Sequence, residues 1–354
     1  MPALFDKKDG IVGGAERYVF ELARHMATVT PTSLVSFGAI AREESVGPLR
    51  IVVIGDPWFI RGQRTNPFSL RLLNLTHTAD IVHCHQQHVL ASTIAAIASR
   101  LRGQRVFCTE LGGGGWDVSA YVSTDRLYMG HLHISEYSRR IAGQSDKRWS
   151  HVIWGGVDTG RFSPADTVSP DPAVTFVGRL LPHKGVDGLL RALPTELPAR
   201  VIGPVCDASY LAHLTSLAAG KLVHFQHDCD DDALVAAYRS ALCVVLPSVY
   251  DDLYGNHTDV PELLGQTLLE GMACGVPGVC TDVASLPEVV EHEVTGFVVP
   301  ASDPEALRAR LLWLAAHGSV AHRMGAAARA RVMDRFTWHT VVQRCLGIYE
   351  SCGS

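Results

Sequence analysis

No stretch of the 354-residue chain approaches the ~20 consecutive apolar residues of a membrane span, and its opening residues do not read as a signal peptide. A cytoplasmic protein is expected, with peripheral contact at the inner membrane face as an optional feature. The C-x-x-C spacing of metal and redox motifs is absent. The nine cysteines are an odd number, several lie in apolar runs such as ALCVVLP, and they read as buried thiols in a reducing compartment rather than a disulfide framework. Positive charge is in deficit: a formal net charge of −5 argues against an electrostatic nucleic-acid binder. Also missing is G-x-G-x-x-G directly after a strand. The run Gly112 to Gly115 lacks the later glycine and no clear helix follows it, which removes a nicotinamide-dependent dehydrogenase. HCHQQH gathers His83, Cys84, His85 and His88, but no second cluster has zinc-type spacing, so no metal is expected.

What the chain does have is length and apolar content, 47% of its residues, enough for two ordinary cores. Apolar runs alternate with helical segments, the mark of an α/β fold with parallel sheets. SLVSF, RIVVIG, DIVHCH, RVFCTE, HLHIS and HVIWGGV occupy the first half; VTFVG, ARVIG, KLVHF, LCVVLP, VPGVC and GFVVP occupy the second. Between them GVDTGRFSPADTVSPDP, rich in Gly, Pro, Ser and Asp, reads as a linker. The expected division is a first Rossmann-like domain over 1–160, a linker over 161–172, a second Rossmann-like domain over 173–335 and a last helix over 336–354. Only MPALFDKKDGIV precedes the Gly13-Gly14 turn, too little for a full central strand. Either the start was assigned too late or the first sheet is made differently, and the first domain, lacking a complete first strand, is expected to be the less stable one.

The chemistry concentrates in PELLGQTLLEGMACGVP, where Glu262 and Glu270 flank what reads as the first turns of one helix. Were the intervening residues helical, the carboxylates would lie ~12 Å apart along the axis and ~80° apart around it, about the length of a nucleotide sugar. The opening of that helix, Gly265, Gln266, Thr267 and Leu268, offers N–H groups to a pyrophosphate. Upstream, VTFVGRLLPHKG places Arg179 and Lys184 on the connection leaving a strand's carboxyl end, where open α/β sheets bind ligands and two cations can neutralise a diphosphate. In the first half, His85 leaves a strand end, followed at the next strand end by Glu110, the glycine run and Trp116; these three, with Arg17 beside the Gly13-Gly14 loop, are candidate substrate contacts. Glu16 reads as a first-turn acid suited to the helix dipole. Asp228, Asp230, Asp231 and Asp232 directly precede a helix and read as capping rather than metal-binding. Asp251 and Asp252 sit in a long loop before Glu262 that could serve as a lid, from which His257 could reach a sugar.

On GRLLPHKG, the E-x7-E pair with its GMACGVP tail, LPEVVEHEVTGFVV and GGAERYVFELARHMA, the chain resembles the retaining glycosyltransferases of family 4. The resemblance implies the GT-B fold: two Rossmann-like domains facing a cleft, with a C-terminal helix crossing back to the first. It further implies that Arg179 and Lys184 bind the donor diphosphate, Glu270 the ribose and Glu262 the transferred sugar, while Gly13 and Gly14 close over the phosphates. No cofactor or metal is implied, only a nucleotide diphosphate sugar as donor and a hydroxyl acceptor. Many members carry a histidine after the strand that here ends in Glu110, and this chain does not. Glu110 or His85 could substitute. The alternatives are a catalytically weak glycosyltransferase-like partner protein and a GT-B sugar-nucleotide epimerase.

Overall fold

The computed structural model describes residues 14–112, 116–165 and 172–352. The chain forms two compact units, one made of residues up to Gly156 together with Trp338 onward, the other of Val157–Thr337. The stretch expected as a linker is partly built into the second unit. Phe162 is buried there with its ring edge-on to Tyr238 at 5.9 Å, and Arg239 donates Nε to the Ser163 carbonyl at 2.8 Å. A composition rich in Gly, Pro and Ser hid one anchoring aromatic.

The first unit runs α1 (Gly14–Met26), β1 (Ser33–Gly38), β2 (Arg42–Val46), β3 (Leu49–Gly55), β4 (Trp58–Phe59), β5 (Pro67–Phe68), α2 (Arg71–Thr76), β6 (Ile81–His85), α3 (Leu90–Leu101), β7 (Arg105–Thr109), β8 (Gly130–His133), α4 (Glu136–Ile141) and β9 (Ser150–Val152). Its described strands form a sheet of order β1-β3-β2, a parallel sheet β6-β7-β8-β9 and the small hairpin β4-β5. Phe37 and Ile54 from the first sheet share one core with Cys84, Val106 and Cys108 of the second and with Ala91, Ala95 and Ala96 of α3. The expected first strand, ahead of Gly14, lies outside the described residues, as does Gly13. β2 was not expected: REESV has no apolar alternation, because it is an antiparallel edge strand with little to bury.

The second unit contains β10 (Ala173–Val177), α5 (Val186–Ala192), β11 (Ala199–Ile202), α6 (Ala208–Leu217), β12 (Val223–Gln226), α7 (Asp231–Arg239), β13 (Ala241–Leu246), α8 (Gln266–Ala273), β14 (Gly278–Thr281), α9 (Leu286–Val289), β15 (Gly296–Val299), α10 (Pro304–Ala316) and α11 (Gly318–Arg335). Its six strands are all parallel, in the order β12-β11-β10-β13-β14-β15. Every residue of β10 is buried, as a strand covered on both faces requires. Asp230 caps α7 by accepting from the Ala233 N–H at 2.8 Å, the structural use expected of that acidic cluster.

The last helix, α12 (Trp338–Ser351), belongs to the first unit and packs on α1. Trp338 lies 5.3 Å from the Tyr18 ring, Tyr349 OH lies 2.7 Å from His83 Nδ1, and Arg105 donates to the Tyr349 carbonyl at 3.0 Å. Among the described residues no helix is long and apolar enough to cross a membrane.

Candidate active site

β10 and β13 are neighbours at the centre of the second unit's sheet, so the connections leaving their carboxyl ends run side by side. After β10 the chain turns through Pro182–Lys184 and closes at Gly185, whose φ of +67° is left-handed. A Cβ there would lie 2.0 Å from the Pro247 carbonyl oxygen, so only glycine lets the two connections touch. The contact is fixed by the Val249 N–H donating to the His183 carbonyl at 2.9 Å.

This approach joins residues far apart in sequence. Lys184 Nζ lies 2.6 Å from Glu262 Oε1 and donates to the Pro261 carbonyl at 3.1 Å. Ser248, fully buried just past β13, donates its hydroxyl to the same Glu262 oxygen at 2.9 Å. Thr281 donates to the Ser248 carbonyl at 2.6 Å and Ser285 to the Glu262 carbonyl at 3.3 Å. Among the described residues no hydrogen bond reaches Glu262 Oε2. The ion pair is only 13% and 11% exposed, which makes it a held geometry rather than a solvated surface pair. Arg179 is exposed on the same connection. Burial holds His183, between Arg179 and Lys184 in sequence, below the ordinary histidine range.

Glu262 is not on the helix. α8 begins at Gln266, after Gly265 in the left-handed region at φ +83°, so the ~12 Å helical spacing assumed from the sequence does not apply. The helix opens without a side-chain cap, and the Leu268 N–H turns back to the Gly265 carbonyl at 3.0 Å. Glu270, 5% exposed in the second turn of α8, accepts from the Tyr238 hydroxyl at 2.9 Å. A cavity of about 440 Å³ opens beside the Gly185–Pro247 contact, with Asp187, Arg191, Asp252 and Thr281 on its walls.

The long loop before Glu262 is internally tied. Asp252 accepts from the N–H groups of Tyr254 and Asn256 at 2.8 and 3.0 Å, and the Tyr250 hydroxyl accepts from the Ala284 N–H at 2.9 Å. His257, exposed, stacks on Tyr250 and lies 2.7 Å from Asp251, whose hydrogen bond raises its pKa.

In the first unit, Gly14 opens α1 and Arg17 is half-buried in its first turn, beside Glu16. His85 ends β6 buried, and its Nδ1 has no hydrogen-bond partner among the described residues. Glu110 is committed to backbone, accepting from the N–H groups of Gln87 at 2.8 Å and Gly112 at 3.0 Å. Trp116 lies under the Arg61 guanidinium at 3.6 Å. Ser248 was missed from the sequence, although its place directly after the strand ALCVVL and Pro247 marked it as a carboxyl-end residue.

The comparisons with known proteins cover both units. The family described as Glycosyltransferase Family 4 matches residues 12–161, and that described as Glycosyl transferases group 1 matches residues 162–331. The chain is 29% identical over 326 residues to the alpha-maltose-1-phosphate synthase of Mycobacterium tuberculosis, covering 80% of this chain and 81% of that protein. It is 27% identical over 411 residues to D-inositol 3-phosphate glycosyltransferase 1 of Catenulispora acidiphila, covering 97% and 91%. In fold it is similar to a glycosyltransferase from Rickettsia africae, with TM-score 0.76 at 19% identity over 99% of this chain and 97% of that one. It is similar also to Anabaena HepE, solved in complex with UDP, with TM-score 0.72 at 18% identity over 99% and 100%. Two adjoining family matches, together with relatives that span most of the chain, show that it belongs to glycosyltransferase family 4, with the GT-B fold of two Rossmann-like domains, and is a glycosyltransferase of the type that uses nucleotide-sugar donors.

Proposed function

We propose that the chain moves a hexose from a nucleotide diphosphate sugar to a hydroxyl acceptor, with retention at the anomeric carbon and without a metal. The observation that carries this is the Lys184–Glu262–Ser248 cluster: it holds one carboxylate oxygen in place and leaves the other, Oε2, for a sugar hydroxyl. Lys184 and Arg179, with the positive dipole end of α8 around Gly265, Gln266, Thr267 and Leu268, stabilise negative charge on the leaving diphosphate. Glu270 takes the ribose hydroxyls, held by Tyr238. The bond from the anomeric carbon to the diphosphate oxygen breaks, the acceptor oxygen bonds on the same face, and its proton passes to the diphosphate. That route needs neither a covalent nucleophile nor the histidine this chain lacks.

His257 is assigned to the sugar from its loop. In the first unit we assign Gly13 and Gly14 to the phosphates, and Arg17, His85 and Trp116 to substrate. Glu110 holds two backbone amides, so its role is to shape the loop around them. HepE was solved with UDP, and relatives are named for maltose 1-phosphate and inositol 3-phosphate, so uridine donors and phosphorylated sugars or cyclitols come first in a screen.

The test is thermal unfolding with UDP, GDP, ADP and their sugar conjugates. A ligand at about 100 times its dissociation constant adds ~2.7 kcal/mol to the folded state. A selective shift names the base; no shift with any of them removes the donor site.

A further inference from the structure

The connection from β13 to α8, residues 247–265, contains no helix or named strand, so bonds from other elements must fix where it carries Glu262. The turn after β14, residues 281–285, supplies them at three points. Thr281 donates its hydroxyl to the Ser248 carbonyl at 2.6 Å, the Ala284 N–H donates to the Tyr250 hydroxyl at 2.9 Å, and Ser285 donates to the Glu262 carbonyl at 3.3 Å. Thr281 is 4% exposed and Ser285 fully buried, so neither hydroxyl can trade its acceptor for bulk water.

This turn gives up its own local preferences where it touches the connection. Ser285 stands at the N-cap position of α9, where a serine ordinarily accepts from a first-turn amide; no side-chain cap forms, and the hydroxyl goes to Glu262 instead. Ala284 takes a φ of +54°, in the left-handed region that disfavours any residue with a Cβ, and its N–H is the one that meets Tyr250. Strain of this kind persists where the surroundings over-determine it, typically at functional sites. Ser248 carries the restraint onward: Thr281 holds its carbonyl, and its own hydroxyl donates to Glu262 Oε1 at 2.9 Å. Lys184 holds the Pro261 carbonyl and the same Oε1. Glu262 is thus fixed at the carbonyl before it, at its own carbonyl and at one carboxylate oxygen, which sets the direction of Oε2.

We propose that Thr281 and Ser285 are positioning residues that aim Glu262 Oε2 at the transferred sugar, Thr281 through Ser248 and Ser285 through the Glu262 backbone. The proposal rests on Glu262 being the group that meets that sugar. A misplacement of about 1 Å costs on the order of a hundredfold in rate. A loss of aim that matters in the transition state lowers kcat with little change in KM.

The experiment follows nucleoside diphosphate release from UDP-, GDP- and ADP-hexoses by the full chain, with phosphorylated sugars and cyclitols as acceptors and rates taken per mole of folded protein. Thr281→Val, which keeps the shape and removes the hydroxyl, and Ser285→Ala are each expected to lower kcat roughly tenfold or more while donor KM stays within about twofold. Ser285→Ala is the milder change and carries the test if Thr281→Val fails to fold. Thr281→Ser restores the hydroxyl and should recover most of the rate. In a Glu262→Gln background the first two changes should add little, because the carboxylate they aim is already gone. A role in folding alone would lower the melting temperature and leave kcat per folded molecule unchanged. Unchanged kcat in Thr281→Val and Ser285→Ala, no recovery in Thr281→Ser, or losses that multiply fully with that of Glu262→Gln overturn the positioning role and leave the reading of Glu262 standing. Near-normal transfer in Glu262→Gln, or no turnover of any donor by the unaltered chain, overturns that reading and the positioning role with it.

Discussion

At the scale of single residues, Glu262 has two separable jobs: it neutralises Lys184 and it offers Oε2. Removing one partner of a nearly buried ion pair costs on the order of 3–5 kcal/mol, because the other charge is left uncompensated. Glu262→Ala should therefore lower both the melting temperature and transfer, the latter at least tenfold. Glu262→Gln keeps an oxygen for the Ser248 hydroxyl but still leaves the Lys184 charge uncompensated, so it should lose less stability than the alanine variant while transfer falls at least tenfold. Comparing the two variants by calorimetry and by steady-state rate checks this; near-normal transfer in Glu262→Gln would remove the carboxylate from the mechanism. His257 gives a second test. Its pKa is raised by the Asp251 hydrogen bond, so NMR titration should place its midpoint above 6.5, and Asp251→Asn should bring it back down. Both carboxylates of the E-x7-E pair and both cations were legible as residues, since their spacing and strand-end positions are local. That Lys184 meets Glu262, 78 positions away, was not legible, because only the pairing of β10 with β13 creates it.

Among elements, the connection from β10 into α5 is the one on which the site depends. Gly185 needs a left-handed φ and has a carbonyl oxygen where its Cβ would be. Gly185→Ala must strain the backbone by about 1–3 kcal/mol or push Pro247 away, and either response separates Lys184 from Glu262. The expected outcome is a lower melting temperature with at least tenfold weaker nucleotide binding, measured by calorimetry on the same sample. If binding were unchanged, the close approach would be a packing feature only. Element type was readable wherever burial imposed a period. The central strands β10 and β13 are nearly continuous apolar runs because both faces are covered, whereas the edge strand β12, VHFQ, buries none of its residues; Asp230 announced α7 through capping chemistry. β2 and the β4-β5 hairpin were not readable, since edge and two-residue strands bury too little to pattern a sequence. The start of α8 was misjudged because the residues from Glu262 onward were read as helical, whereas Gly265 is a left-handed residue ahead of the first turn.

For the molecule as a whole, the two units should respond differently to acid. In the first unit burial drives the pKa of His83 down to about 3 and that of His133 to about 4, and lowers His85 as well. A histidine whose folded pKa is depressed stays neutral while the unfolded chain binds a proton, so the stability it contributes is complete above the unfolded value near 6.5. That stability is lost as pH falls below it, by about 1.4 kcal/mol per pH unit for each group until the folded pKa is reached. At pH 5, His83 and His133 together remove about 4 kcal/mol, and His85 acts in the same direction; this is a large share of the ~5–15 kcal/mol that holds an ordinary domain. In the second unit burial lowers His183, whereas His257, with a raised pKa, opposes the loss. Hydrogen exchange resolved by peptide should therefore show protection of β6, β7 and β8 collapsing between pH 6.5 and 4 while that of β10, β13 and β14 persists. His83→Gln should blunt the effect if its ring can be replaced against Tyr349 and Thr109, since an amide takes up no proton over that range. Simultaneous loss in both units would mean that the buried histidines do not set the acid limit, and that the first unit is no weaker than its partner.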